Sequence, residues 1–423
     1  MARVLQIHQQ QLIGVVIVQN STLNKTGLGT SLELIETLIA VFFITALIPF
    51  FILNALLSLT QLKSPLTTST VFDACGGKHF YSQWNHGPLK SSLLLLKILS
   101  GEFSFCGISL CNKRPAITLR SNTLKPGIFS VHQLHQTMGY IEMSHSESLK
   151  FHENKRSLIF DISLAAKSIV AQMLFDASEK IAPKRFDLLG VSIDNVSKKE
   201  ALSFIFDEPV ESCRSLCFIN AHSINLSCSK PDFRSSLNQA DCLLADGSGV
   251  RLGASIKGVK LRDNINGTDL LPHICRRLQQ NGESVFLFGS EPGVAKRAAD
   301  KLQKKYPGLK IAGTHHGYIN QQESDDIVEK INGSGAALCL VALGSPVQER
   351  WIEENKHKLE CHTVMAVGGL FDFYSGKIAR APRWMREIGM EWLFRLAMEP
   401  KVKFKRYVIG NPLYIARILS AYS

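Results

Sequence analysis

Apolar residues follow three different rhythms along this chain. From Thr37 to Leu59 they run without a single charge, as TLIAVFFITALIPFFILNALLSL. As a helix that stretch would extend roughly 34 Å, enough to cross a bilayer. Pro49 stands in its middle, where it removes a backbone hydrogen bond and bends or breaks the helix. The segment therefore reads as a kinked span or a re-entrant hairpin, and a buried soluble helix is the plainer alternative. The sparse flanking charges, Lys25 and Lys63, do not orient it. Further on, SLIFDISLAAKSIVAQMLF repeats its apolar residues at helical spacing.

Beyond the polar link DASEKIAPKR, from about Phe186, short continuous apolar runs alternate with amphipathic stretches. RSLCFINAHSI reads as a strand and a loop, and ADCLLADGSG as a strand and a glycine loop. SVFLFGSEPGVAKRAADKLQKKYPG is a strand, a Gly/Pro loop and a helix stopped by Pro-Gly. AALCLVALGSPVQERWIEENK repeats that plan, and TVMAVGGLFDF adds another short strand. Unbroken apolar strands separated by helices predict an α/β fold: a Rossmann-like parallel sheet with helices on both faces. Ligands in such sheets bind beyond the carboxyl ends of the strands, where these loops fall.

The expected organisation is a polar segment over 1–32, then a membrane-associated, mostly helical region over 33–178 containing the segment 37–59. A linker over 179–185, the α/β domain over 186–376 and a basic helical C-terminal appendage over 377–423 complete it.

Composition narrows the partners. The 423 residues carry a formal charge of +12, which calls for anionic lipid, nucleic acid or a phosphorylated substrate. Nine of the cations, from Lys377 to Arg406, stand against three glutamates in the tail GKIARAPRWMREIGMEWLFRLAMEPKVKFKRYVIG. There Trp384, Met385, Ile388, Trp392, Leu393 and Leu396 recur near helical spacing. Such a helix reads as membrane-surface binding or capture of a phosphorylated lipid, or else as a terminal helix docked on its own domain. No recognition motif accompanies the charge, so nucleic acid is not expected. The ten cysteines form no CxxC pair, which argues against zinc and for reduced thiols. No basic stretch leads into an apolar core with a cleavage site over the first thirty residues, so a cleaved signal peptide is not expected.

Candidate chemistry sits at the strand ends. Asp246, followed by Gly-Ser-Gly, has no second acid two residues away, and Leu252 occupies the third glycine position of a dinucleotide fingerprint. It is a catalytic base or a turn residue bonded to its own backbone. Asn220, His222 and Asn225 in FINAHSIN suit a base, ribose or sugar, although Asn220 serves equally as a helix cap. In GSPVQERW, Ser345 as N-cap with Pro346 and Gln348 after it makes a capping box. The same helix start, with Gly344, suits a diphosphate. Gly289 and Gly293 mark a second strand-to-helix loop.

Taken together, FDLLGVSID, INAHSIN, ADGSGV, NINGTDLLP, FLFGSEPGVA, LVALGSPVQERW and AVGGLFDFYSGKIARAPRWM resemble the WecG/TagA/CpsF family of bacterial glycosyltransferases, from about Phe186 to Ile418. The resemblance implies transfer of N-acetylmannosamine or a related hexosamine, with inversion and without a metal cofactor. The donor would be a UDP-sugar and the acceptor a sugar on undecaprenyl diphosphate, at the cytoplasmic face of the bacterial inner membrane. Carried onto this chain, it implies Asp246 as base, with Asn220 and Gln348 in the catalytic set. It places Gly289, Gly344, Gly368, Gly369 and Asp372 around the nucleotide-sugar. Arg380, Arg383, Arg386 and Trp384 would meet the acceptor and the membrane. Phe218 departs from the threonine common at its position. Oligomeric state is left open.

The N-terminal part resembles bacterial sugar transferases that act on polyprenol phosphate, through ILSGEFSFCGISLCNKRP and LKPGIFSVHQ. Their Asp-Glu dyad would fall near Lys90 and Ser91, where no acidic pair exists. This half is expected to be a degenerate copy, kept as an anchor or acceptor-presenting module. The alternatives are a bifunctional fusion and a non-catalytic membrane scaffold of a polysaccharide assembly.

Overall fold

The central strands of the C-terminal domain are buried at nearly every position, and their successive residues face opposite layers. The computed structural model describes residues 34–48, 51–55, 66–84, 90–111, 114, 119, 121, 123–140, 143–175, 182–207, 212–320 and 322–422. It divides into two compact units, one of residues 1–134 with 144–169 and one of 135–143 with 170–423.

In the second unit eight strands form one sheet: β6 (Arg185–Leu188), β7 (Val191–Asp194), β8 (Arg214–Ile219), β9 (Cys242–Ala245), β10 (Ser284–Gly289), β11 (Lys310–His315), β12 (Leu338–Ala342) and β13 (Thr363–Ala366). Their spatial order is β11-β10-β12-β13-β8-β9-β7-β6. From β7 to β11 every pairing is parallel. The expected all-parallel sheet needs one correction, because β6 pairs with β7 antiparallel. Only the two-residue turn Leu189-Gly190, both at positive φ, separates these strands. So short a link permits a hairpin and excludes a crossover.

Odd and even strand residues feed two separate cores. Ile219, Leu243, Phe288, Val341 and Val364 face one layer, with Ile224, Val250, Trp351, Tyr414 and Ile418 from its helices. Leu216, Leu244, Leu287, Leu340 and Met365 face the other, against Ile205, Leu270, Ile274, Ala298 and Leu302. Both faces of the sheet are thus covered, which is why the strands read as unbroken apolar runs.

The last helix, Gly410–Tyr422, belongs to the first of these layers. Tyr414 is 2% exposed, and its hydroxyl donates to the Gly249 carbonyl at 3.0 Å. Asn225 donates from Nδ2 to the Gly410 carbonyl at 2.7 Å, and Arg417 donates from Nη1 to Asn225 Oδ1 at 2.8 Å.

The first unit carries short strands besides the helices expected there. β1 (Leu66–Asp73) and β2 (Lys78–Trp84) form an antiparallel hairpin, β4 (Leu110–Cys111) adds to β1, and β3 (Ser104–Cys106) pairs with β5 (Gly127–Phe129) in parallel. Asp73 shapes the hairpin turn by accepting from the Cys75 and Gly77 amides at 2.8 and 2.9 Å. The β1 sequence LTTSTVFD is rich in Thr and Val, whose branched side chains favour an extended backbone. The helix His145–Lys155 starts with a capping box between Ser144 and Glu147. Glu36 is buried beside the Phe105 amide, and burial pushes its pKa up to about 7.

The apolar segment expected at 37–59 is helical over 34–48 and 51–55, while Pro49 lies outside the described residues. Among the described residues no helix is long and apolar enough to cross a membrane. The side chains of Lys90 and Ser91 also lie outside the described residues.

Candidate active site

Strand order reverses around β8: the chain proceeds from β8 to β9 on one side, then returns through β10, β12 and β13 on the other. Side chains and loops beyond the carboxyl ends of β8, β9, β12 and β13 open there into a cavity of about 1020 Å³.

Asp246 is the first residue beyond β9 and the N-cap of the helix Gly247–Ile256. Its backbone amide donates to the Ile219 carbonyl at 2.8 Å, which ties the end of β9 to β8. Its carboxylate makes no capping bond, so the turn-residue reading fails. The side chain lines the cavity instead, and burial pushes its pKa up to about 6. Glu391 and Asp269 also raise it, while Arg395 and Arg406 oppose the rise. A carboxylate in that range takes a proton near neutral pH without holding it permanently. Gly247, at φ 88°, turns the chain into the helix and donates its amide to Asn264 Oδ1 at 2.9 Å.

Asn220 caps the helix Ala221–Ser229, its Oδ1 accepting from the Ser223 amide at 3.1 Å and from the Ser223 hydroxyl at 3.3 Å. It borders the cavity, but that oxygen is committed to the cap. His222, beside it, is pushed down to about 4 by burial and by Arg406 and Lys403, so it is neutral at pH 7. Phe218 forms apolar wall opposite Gly267.

Gln348 is 3% exposed and joins two loops. Its Oε1 accepts from the Gly344 amide at 3.2 Å and from the Gly368 amide at 2.9 Å. The capping box expected at Ser345 is not formed. The helix Val347–Asn355 begins with Pro346 as N-cap, the Ser345–Pro346 peptide is cis, and Ser345 Oγ donates to Glu349 Oε1 at 2.6 Å. Gln348 Nε2 donates to the same oxygen at 2.8 Å. Glu349, 2% exposed, has its pKa raised by burial, and among the described residues its Oε2 has no hydrogen-bond partner. Sequence reasoning passed over this acid because it follows the glutamine that seemed to explain the motif.

The other expected residues divide. Gly344, Gly368, Gly369 and Arg386 line the cavity. Gly289 and Asp372 stand apart from its lining, around the end of β10, where Ser290 Oγ donates to Asp372 Oδ1 at 3.2 Å. Arg380 is paired with the buried Asp269, and Arg383 donates from Nε to Glu387 Oε1 at 2.9 Å. Neither lines the cavity, and Trp384 is exposed outside it. The cations at the cavity wall are instead Arg386, Arg395, Lys403 and Arg406. Three of these lay unremarked within the counted charge of the tail, since only folding decides which side of the appendage turns inward. Asp269 was also missed: it lines the cavity, and its Oδ2 accepts from Asn266 Nδ2 at 2.7 Å. Among the described residues no three His, Cys, Asp or Glu side chains converge as metal ligands would.

Residues 186–422 match the glycosyl transferase WecG/TagA/CpsF family. An N-acetylglucosaminyldiphosphoundecaprenol N-acetyl-beta-D-mannosaminyltransferase of Bacillus spizizenii (strain W23) is 31% identical over 189 residues, which is 45% of this chain and 72% of the relative. The protein of the same description from Bacillus subtilis (strain 168) is 30% identical over 188 residues, 44% of this chain and 72% of the relative. The Staphylococcus aureus (strain MW2) relative, again so described, is 29% identical over 226 residues, 53% of this chain and 88% of its own length.

Proposed function

Since the chain belongs to the WecG/TagA/CpsF glycosyl transferase family, we propose that this hexosyltransferase moves N-acetylmannosamine or a related hexosamine from a UDP-sugar to N-acetylglucosamine on undecaprenyl diphosphate. The acceptor hydroxyl attacks the anomeric carbon, UDP leaves from the opposite face, and Asp246 takes the hydroxyl proton. One displacement of this kind inverts the anomeric centre.

The observation that carries the reading is the uncapped Asp246 carboxyl, with its pKa raised to about 6 by burial, in a cavity lined by glycine loops and by basic side chains. The Gly344 and Gly368 loops, fixed by Gln348, suit the donor's diphosphate. Arg386, Arg395, Lys403 and Arg406 offset phosphate charge where UDP departs and where the lipid diphosphate rests.

Two features support work at the cytoplasmic face of a membrane. Val402, Phe404, Val408 and Ile409 are exposed apolar side chains on the appendage, and Lys401 and Lys405 stand among them. A basic, apolar surface of this composition suits an anionic bilayer.

The direct test is UDP release from UDP-N-acetylmannosamine with the lipid-diphosphate acceptor, comparing the wild type with Asp246→Ala. Loss of turnover in the variant is expected. Equal turnover would remove Asp246 as base, and no turnover by the wild type would favour a membrane scaffold.

A further inference from the structure

The second compact unit contains a piece of chain from outside the family match. Residues 135–143 lie upstream of the matched span, yet they pack with it and supply Met138, Gly139 and Tyr140 to the cavity wall. The contacts of this piece fall on the catalytic loops and the arginines. The Asn264 amide donates to the Gly139 carbonyl at 3.3 Å, and Asn264 in turn accepts from Gly247, next to Asp246. Arg251 donates from Nη2 to the Gln136 carbonyl at 3.4 Å. His135 Nε2 lies 3.2 Å from Glu387 Oε1, the acid that also holds Arg383.

The central contact is between Tyr140 and Arg386. Arg386 Nη1 donates to the Tyr140 hydroxyl at 3.0 Å, and its Nε donates to the Ala381 carbonyl at 3.1 Å. A phenol that accepts one bond keeps its own O–H to donate. Both side chains line the same cavity.

Gly139 makes this approach possible. At φ +65° it is in the left-handed region, and a Cβ there would lie 2.3 Å from Arg251 Nη1 and 2.6 Å from the Asn264 amide. Only glycine lets the segment lie against the Asp246 loops.

Resting on the proposed function, we infer that this upstream segment completes the acceptor site: Tyr140 positions Arg386 and donates its own hydroxyl proton to the diphosphate of the lipid-linked acceptor. Residues 135–143, upstream of the family match, are then part of the transferase site.

The test uses the full chain, UDP-N-acetylmannosamine and N-acetylglucosaminyl-diphospho-undecaprenol in detergent micelles. Tyr140→Phe removes the acceptor of one charged hydrogen bond and one donor to the ligand, so KM for the lipid should rise about tenfold. The donor KM and the thermal midpoint should stay near wild type. Gly139→Ala should give the same split by pushing the segment outward. Because Tyr140 also donates to the ligand itself, Tyr140→Phe should still raise the lipid KM once Arg386 is Ala, but by clearly less than in the wild type, whereas an unrelated packing role would give fully additive losses. An unchanged lipid KM in Tyr140→Phe, or additivity in the double variant, overturns the inference alone. Failure of the wild type to turn over would overturn the functional reading and this inference together.

Discussion

Gln348 Oε1 receives the Gly368 amide at 2.9 Å, although the two residues lie twenty positions apart, one in the first turn of a helix and the other on the loop after β13. The same oxygen receives Gly344. Gln348→Ala would leave two backbone N–H groups without their acceptor, a cost of about 1–3 kcal/mol. Urea unfolding should show that loss, and the UDP-sugar KM should rise more than the lipid KM, because the loops joined are those assigned to the donor. An unchanged donor KM would count against that assignment.

Asp246 connects stability to pH with a definite sign. Its folded value, about 6, exceeds its ordinary 3.8, so the folded chain binds the proton more tightly. The stabilising contribution is complete below about 3.8 and is lost as pH rises through about 6. At pH 7 the charged carboxyl then costs up to about 3 kcal/mol relative to a neutral group. Asp246→Asn should therefore raise the unfolding midpoint at pH 7 and change it little at pH 4, while turnover falls about 100-fold or more. Wild-type turnover should climb with pH through the same window.

Glu349 gives a second, independent titration. Burial raises it from an ordinary 4.5, so its contribution too is present at low pH and lost as pH rises through its folded value. Gln at this position still offers one oxygen to Ser345 and to Gln348 and carries no charge. Glu349→Gln should match the wild type below pH 4.5 and exceed it at neutral pH in thermal stability. Glu349→Ala, which removes that oxygen, should be less stable than either at every pH. Equal behaviour of the two variants would mean that the shared oxygen does not organise the loop.

Asp269 fastens the appendage to the domain through Arg380, with Arg386 Nη1 at 3.9 Å as a secondary partner. Arg380→Ala should destabilise by up to about 3 kcal/mol, because a buried acid loses its main counter-charge. Limited proteolysis should then cut first within the appendage. Asp269→Asn combined with Arg380→Ala should cost less than the two single changes summed.

Val402 and Phe404, 69% and 53% exposed, are the simplest probes of membrane contact. Replacing both by Ser should lower co-sedimentation with vesicles containing anionic lipid and leave the unfolding midpoint in place. Unaltered co-sedimentation would locate the lipid contact elsewhere on the chain.

The α/β architecture was legible because strands covered on both faces must be apolar at every position, as in Cys242–Ala245 and Leu338–Ala342. The hairpin Arg185–Asp194 was not, since its two four-residue strands are too short to show a period. The strands Leu66–Asp73 and Lys78–Trp84 were overlooked for a different reason: Thr and Ser carry no hydrophobic signal, though their β preference was on view. Within the site, Asp246 and the glycine loops could be placed because strand ends are local features. Tyr140 with Arg386, and Asp269 with Arg380, join residues more than a hundred positions apart, and no local spacing records such meetings.

The helix Gly410–Tyr422 is made after every other described element, yet Tyr414 holds the Gly249 carbonyl three residues beyond Asp246. Its Ile418 side chain is buried in the same core layer, close to Gly253 of the helix that Asp246 begins. The sheet can pair without this helix, but the turn after Asp246 gains its backing only when the helix docks. Order around Asp246 is thus set by a helix more than 160 positions away in sequence, so loosening that helix should loosen the Asp246 turn while the strands remain paired.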